Sequence, residues 1–246
     1  MPLSKKQKYL QIALNSDLNQ ARNIILKLPT DERIILEAGT PLIKQYGIRA
    51  ISSLRSFWNF KIHGPQPQNS DLFTIIKTIQ QKKTASVAGP YIVADLKCMD
   101  RGFREVELAK RAGASAATVL GHAPIETIDA FIQKCDDLGI DSMIDMMNLE
   151  YPTSTLRKLK RLPKVIVLHR GVDEESYNRE KMVPYHEIQR LKGEFDVMVA
   201  VAGGDTLREV QTATFNDVDI VVLWKNFFNS KDSNPGMIDD FLRELR

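Results

Sequence analysis

In Tyr91-Ile92-Val93-Ala94-Asp95-Leu96-Lys97, one parity carries Ile92, Ala94 and Leu96, and the other carries Val93, Asp95 and Lys97. Successive side chains of a strand point to opposite faces. The run therefore reads as a strand with an apolar outer face and an inner face that ends in two charges. Apolar residues at 3–4 spacing predict a helix over Glu105–Ala112, a second β-rich run follows at Ala116–Leu120, and a second helix at Ile125–Leu138. Apolar runs that alternate with helices in this way build a parallel sheet covered by helices.

The same unit recurs in both directions. Further short apolar runs lie at Tyr9–Leu14, Arg33–Leu36, Ser142–Met146, Lys164–Leu168, Asp196–Ala200 and Ile220–Leu223, with a last helical pattern at Met237–Leu245. Eight strand–helix units in 246 residues match the size of a (β/α)8 TIM barrel, an α/β fold, with 1–246 as a single domain. An open doubly wound sheet is the alternative. No GxGxxG follows the first run, which favours the barrel. One connection is too long: about 30 residues separate Trp58 from Tyr91, where such links usually take 2–6. Asn59–Asn69, with Gly64-Pro65-Gln66-Pro67, reads as loop, and Ser70-Asp71 as the cap of an extra helix with a Leu72, Phe73, Ile75, Ile76 and Ile79 stripe. This helical insertion, 59–90, precedes the third strand and belongs at the N-terminal end of the barrel. It is expected to pack there as an extra helix, with a partner-binding element as the alternative.

Composition narrows the class. With 43% hydrophobic and 26% charged residues the chain is globular rather than disordered. Two cysteines, Cys98 and Cys135, make no disulfide scaffold, which suits a reducing, cytoplasmic setting. The N-terminus has no apolar signal region, and no run reaches the roughly 18 apolar residues of a membrane span. The 34 basic and 31 acidic residues leave +3, spread along the chain. No nucleic-acid or membrane partner is expected.

The charges gather at strand ends. Parity puts Glu37 with Ile35 on the inner face of the second strand, opposite Ile34 and Leu36. Asn15, Asp145 and His169 also fall at C-terminal ends of apolar runs, and in a barrel these ends form one mouth, where chemistry is placed. Asp95 and Lys97 alone would make a structural ion pair, but Glu37 would still lack a partner, and unpaired buried charge is costly. A divalent cation resolves this. Two carboxylates suit Mg²⁺. Zinc fits less well, because no cysteine or second histidine joins at ligand spacing. His63 and His122 read as surface or packing residues. Val201-Ala-Gly-Gly-Asp205 follows the seventh strand, where barrels often bind phosphate, and Lys225 after the eighth could add a charge. Gly203 and Gly204 thus point to a phosphorylated small-molecule substrate.

Glu37-Ala-Gly-Thr-Pro-Leu-Ile-Lys44 and Ala94-Asp-Leu-Lys-Cys-Met-Asp100 together resemble the 3-hexulose-6-phosphate synthase family of the orotidine monophosphate decarboxylase suprafamily, whose Asp-x-Lys-x-x-Asp signature the second segment matches. Similarity continues in Ala117–Gly121, Ile144–Asn148, Leu168-His169 and Val199–Gly204, in collinear order. The resemblance implies a homodimeric barrel with shared active sites, Mg²⁺ and a sugar-phosphate substrate. The implied reaction joins formaldehyde to ribulose 5-phosphate through an enediolate, or runs the reverse cleavage. Carried over by residue, Glu37 and Asp95 would bind metal and Lys97 would face the enediolate oxygens. Asp100 would reach the partner's site, His169 would carry the proton, and Gly203 and Gly204 would hold phosphate. Three positions depart from the family pattern. Asn15 replaces an Asp, Trp224 stands where a glycine is usual, and Lys225 takes the place of an Arg. The alternatives are therefore a 3-keto-L-gulonate-6-phosphate decarboxylase-type enzyme and a non-catalytic homologue with an altered ligand site. Val172 stands where decarboxylating relatives tend to carry Arg, and Arg170 lies immediately after His169, which tilts toward the aldolase. Trp224, Phe227, Phe228 and the insertion motivate the non-catalytic reading.

Overall fold

A computed structural model describes residues 3–64, 89–178, 180–204, 206–224 and 236–245. Eight parallel strands close into a barrel in sequence order: β1 Tyr9–Leu14, β2 Ile34–Ala38, β3 Tyr91–Cys98, β4 Ala116–Leu120, β5 Asp141–Asp145, β6 Val165–His169, β7 Met198–Ala202 and β8 Ile220–Leu223. The last strand pairs back onto the first, with Tyr9 opposite Ile220. No open sheet edge remains, and the (β/α)8 expectation holds.

Helices follow the strands. They include α1 Leu18–Lys27, α2 Thr40–Tyr46, α3 Arg49–His63, α4 Gly102–Arg111, α5 Ile125–Leu138, α6 Pro152–Leu156, α7 Val172–Tyr177, α8 His186–Glu194, α9 Leu207–Phe215 and α10 Gly236–Glu244. Local chemistry sets several of their ends. The Asp17 side chain accepts from the Gln20 backbone N–H to start α1, Thr206 and Glu209 form a reciprocal cap on α9, and Gly139 takes φ 61° to end α5.

Strand parity splits the apolar residues into two cores. Leu10, Ile12, Leu36, Ile92, Ala94 and Ile166 face outward and pack under the helices. Tyr9, Ala13, Ile35, Val93, Met143, Val165, Met198 and Ile220 fill the barrel. Leu3 joins this inner cluster, and the Tyr91 hydroxyl donates to Asp141 Oδ2 at 2.6 Å at the N-terminal rim. The barrel interior is thus packed at that end by the described residues, and a cavity opens inside the barrel at the C-terminal ends of the strands.

The helix expected to end near Trp58 continues to His63, so Asn59–His63 is helical rather than loop. Its apolar spacing runs on through Trp58, and Gly64 at φ 69° stops it. The insertion is accordingly shorter than 59–90. The expected helix with the Leu72–Ile79 stripe lies outside the described residues. Strand ends also moved: β2, β6 and β7 each run one or two residues later than the apolar runs suggested, because polar Glu37 and His169 still pair in the ladder.

Candidate active site

The inner side chains of β1 to β8 leave a cavity of about 390 Å³ at the C-terminal mouth. Asn15, Glu37, Asp95, Lys97, Asp145 and His169 all line it. The structure thus brings together six charged or polar residues that are up to 154 positions apart in the chain, because each ends or nearly ends a strand.

Asp145 lies at the centre. Its Oδ2 accepts from Lys97 Nζ at 2.8 Å and from His169 Nδ1 at 2.9 Å, and its Oδ1 accepts from the Met147 backbone N–H at 3.0 Å. Only 2% of Asp145 is exposed. Burial by itself would raise its pKa, but His169 and Lys97 outweigh burial and hold the carboxyl well below the usual range. The reverse holds for His169: burial would lower the imidazole, and Asp145 overrides it to raise it. Burial also works against the Lys97 cation, and Asp95 and Asp145 together raise its pKa regardless. Lys97 therefore stays an ammonium at neutral pH. With Nδ1 committed to Asp145, His169 keeps Nε2 for proton exchange. Replacing Asp145 by Asn should remove the strongest influence holding the His169 pKa up and so lower it, as read by NMR titration of the ring. A His169 pKa unchanged by the substitution would show that Asp145 does not control it.

Asp95 is fixed by neutral donors as well as by Lys97. Thr118 Oγ1 donates to Oδ1 at 2.9 Å, Thr40 Oγ1 donates to Oδ2 at 2.7 Å, and Lys97 Nζ lies 3.0 Å from Oδ2. Lys97 itself sits at φ 45°, inside a register shift between β3 and β4, with its backbone N–H on Thr118 Oγ1 at 3.1 Å. A left-handed lysine in a strand costs about 1–3 kcal/mol and persists where the surroundings over-determine it. The bulge turns its side chain across the cavity to Asp145.

Glu37 is buried beside Asp95, and its expected lack of a charged partner is met by a neutral one: Gln11 Nε2 donates to its Oε2. Burial, then the Asp95 charge, push its pKa up to about 7, with Gln11 and Lys97 opposing. Glu37 and Asp95 could hold a divalent cation. Two buried like-charged carboxylates gain from one, and Lys97, closer to Asp145, can release a lone pair on Asp95. Among the described residues no group of three or more His, Cys, Asp or Glu is placed to hold a metal. A cation here would thus take two protein ligands and leave positions for water and substrate oxygens, which suits Mg²⁺.

The residues expected to hold phosphate divide. Gly203 lines the cavity at φ 101°, and a Cβ there would meet the Arg170 carbonyl oxygen at 2.4 Å, so only glycine fits. Gly204 is buried, does not line the cavity, and faces the Tyr185 hydroxyl. Trp224 lines the cavity and packs on the inner cluster. Lys225, Asp205, Phe227 and Phe228 lie outside the described residues. Asp100 is exposed and absent from this chain's cavity, its Oδ1 accepting from the Arg101 N–H at 2.7 Å. His63 and His122 are exposed. Gln11, Thr40 and Thr118 line the cavity without having been singled out from sequence, and Arg170, noted there only as the residue after His169, lines it too. Inner-face parity would have found Gln11 and Thr118. Thr40 follows its strand, where no periodicity marks it.

The sequence matches the family model described as Orotidine 5'-phosphate decarboxylase / HUMPS family over residues 8–223. The bifunctional enzyme Fae/Hps of Methanocella arvoryzae is 36% identical over 228 residues, which are 91% of this chain and 50% of that protein. The one of Methanosphaera stadtmanae is 34% identical over 243 residues, 96% of this chain and 52% of the relative. The chain spans about half the length of the curated relatives it matches. Among solved structures, 3-hexulose-6-phosphate synthase from Salmonella typhimurium gives a TM-score of 0.74 at 25% identity, over 96% of this chain and 98% of that one. KGPDC from Streptococcus mutans shares the fold, with a TM-score of 0.68 at 20% identity over 97% of each chain. A barrel closed in sequence order, with its charged residues on one mouth, and a family match running from β1 to the end of β8 lead to one conclusion: the chain belongs to the orotidine 5'-phosphate decarboxylase / HUMPS family.

Proposed function

We propose that the chain is a Mg²⁺-dependent aldolase of the 3-hexulose-6-phosphate synthase type, joining formaldehyde to ribulose 5-phosphate or cleaving the product. The carrying observation is the Lys97–Asp145–His169 chain beside the Glu37–Asp95 pair in one cavity. The names of the Fae/Hps relatives and of the Salmonella typhimurium enzyme support it.

Glu37 and Asp95 would hold Mg²⁺, which would lower the energy of an enediolate by drawing charge from the ketone and its neighbouring hydroxyl. His169 Nε2 removes the proton from the substrate carbon between them, and Asp145 stabilises the resulting imidazolium through Nδ1. Lys97, a fixed ammonium, faces the negative charge that develops on the enediolate oxygens. The carbon nucleophile then adds to formaldehyde, and the imidazolium returns its proton to the new alkoxide. Proton and charge balance without another reactant. Gly203 and the adjoining backbone would take the phosphate, with Trp224 narrowing that end. Val172, where decarboxylating relatives tend to carry Arg, lines the cavity beside Arg170, and its apolar side chain favours the aldolase over the decarboxylase.

The test is formaldehyde consumption by purified protein with Mg²⁺ and ribulose 5-phosphate. Tight sugar-phosphate binding with no turnover would support the non-catalytic reading instead. The exposed position of Asp100 fits a role in a partner's site, so the working unit is proposed to be a homodimer. Mixing inactive Asp100→Ala and Lys97→Ala subunits should then restore activity, up to about a quarter of the wild-type level when one site in two of the mixed dimers is intact. No recovery in demonstrated mixed dimers would overturn the shared site.

A further inference from the structure

Gln11 is 3% exposed and occupies the inner face of β1 between Tyr9 and Ala13. Its register partners are Ile35 on β2 and Val222 on β8, both apolar. A primary amide in such surroundings carries a desolvation cost that an apolar side chain of the same length would avoid. A methionine would fill the space. The amide must therefore be explained by what its two ends do.

One end is accounted for. Nε2 donates to Glu37 Oε2, and because Glu37 pairs with Ala13 across the ladder, Gln11 approaches it from one pleat deeper in the barrel. Thr118 and Thr40 hold Asp95 in the same manner, by neutral donors. The other end is not. Gln11 Oε1 is buried and has no hydrogen-bond partner among the described residues, while the residue lines the cavity. A buried acceptor without a partner, on a residue that lines the cavity, fits an O–H donor arriving with the ligand.

We propose that Gln11 is the positioning residue of Glu37, holding its carboxylate by Nε2, and that its Oε1 accepts a hydrogen bond from a hydroxyl of the bound sugar. The inference rests on the reading of Glu37 as a cation ligand. It adds to that reading a residue that touches the ligand at one atom and the cation ligand at the other. Because an amide neither gains nor loses charge here, Gln11 constrains where the Glu37 oxygens point without altering the site's net charge. Outer partners of metal ligands typically change metal affinity about 10- to 100-fold when removed.

The experiment replaces Gln11 by Met, with Gln11→Leu as a second variant should the first fold poorly. Mn²⁺ binding to the substrate-free protein is measured by electron paramagnetic resonance, alongside thermal midpoint and the KM for ribulose 5-phosphate. The expected result is Mn²⁺ affinity weakened about 10-fold or more and a raised KM, together with a lowered thermal midpoint above pH 7, where Glu37 is left charged and without its donor. A merely structural amide would lower the midpoint and leave Mn²⁺ affinity and KM unchanged, so the Mn²⁺ affinity separates the two roles. Met198→Leu, a packing change deep in the barrel, serves as the control and should leave Mn²⁺ affinity unaltered. Wild-type Mn²⁺ affinity in the Gln11 variants overturns this inference alone. Wild-type protein that binds no Mn²⁺ overturns the magnesium reading, and this inference with it.

Discussion

Replacing Lys97 by Ala is expected to lower kcat about 10³-fold while leaving the KM for ribulose 5-phosphate within a few-fold. The ammonium sits between two carboxylates, 3.0 Å from Asp95 and 2.8 Å from Asp145, and both keep it charged. It cannot serve as a base at neutral pH, so its contribution is a fixed positive charge where the enediolate forms. A preorganised charge of this kind contributes about 10²- to 10³-fold. The loss would also disturb proton transfer, since Asp145 would then answer to His169 alone, which places the expectation at the upper end. An interaction made mainly in the transition state lowers kcat and spares KM. Circular dichroism and thermal melting separate this from unfolding. A fall of less than about 10-fold in folded protein would remove Lys97 from the proposed chemistry.

Glu37→Gln should separate stability from function. In the metal-free protein the buried carboxyl has its pKa raised from 4.5 to about 7 by burial and by Asp95. The folded state therefore holds a proton that the unfolded chain has released. The penalty is absent below pH 4.5, grows as pH rises through about 7, and is complete above it. A shift of this size corresponds to about 3 kcal/mol. At pH 8, without divalent cation, Gln at this position should stabilise the protein by up to about 3 kcal/mol, while at pH 4 the difference should vanish. Gln11 can still donate to the new amide oxygen, so the packing survives. Formaldehyde consumption should fall at least 10²-fold, and Mg²⁺ should no longer raise the melting temperature. Equal stability of the two proteins at pH 8 would show that Glu37 carries no buried charge. Full activity of the variant would remove Glu37 from the cation site.

Much of this arrangement was legible before any coordinates. The period-2 runs are long enough to count, and parity alone places Val93, Asp95 and Lys97 inside and Ile92 and Ala94 outside, which the two cores confirm. Glu37, Asp145 and His169 were readable as strand-end residues for the same reason. The link after Trp58 is not legible in this way, because propensity weakens near a helix end and Asn59 looks like a loop residue, yet packing carries α3 to His63.

What the sequence by itself determined is the alternation of strands and helices, the face each inner residue takes, and hence the set of charges at one mouth. Those follow from local geometry with a fixed period. What only the tertiary structure decided is who meets whom: that Asp145 joins Lys97 to His169, that Thr40 and Thr118 hold Asp95, and that Gln11 stands under Glu37. Such pairings depend on the stagger between neighbouring strands, on the bulge that puts Lys97 at φ 45°, and on closure of β8 onto β1. None of these has a period along the chain, because each arises only when distant segments pack together.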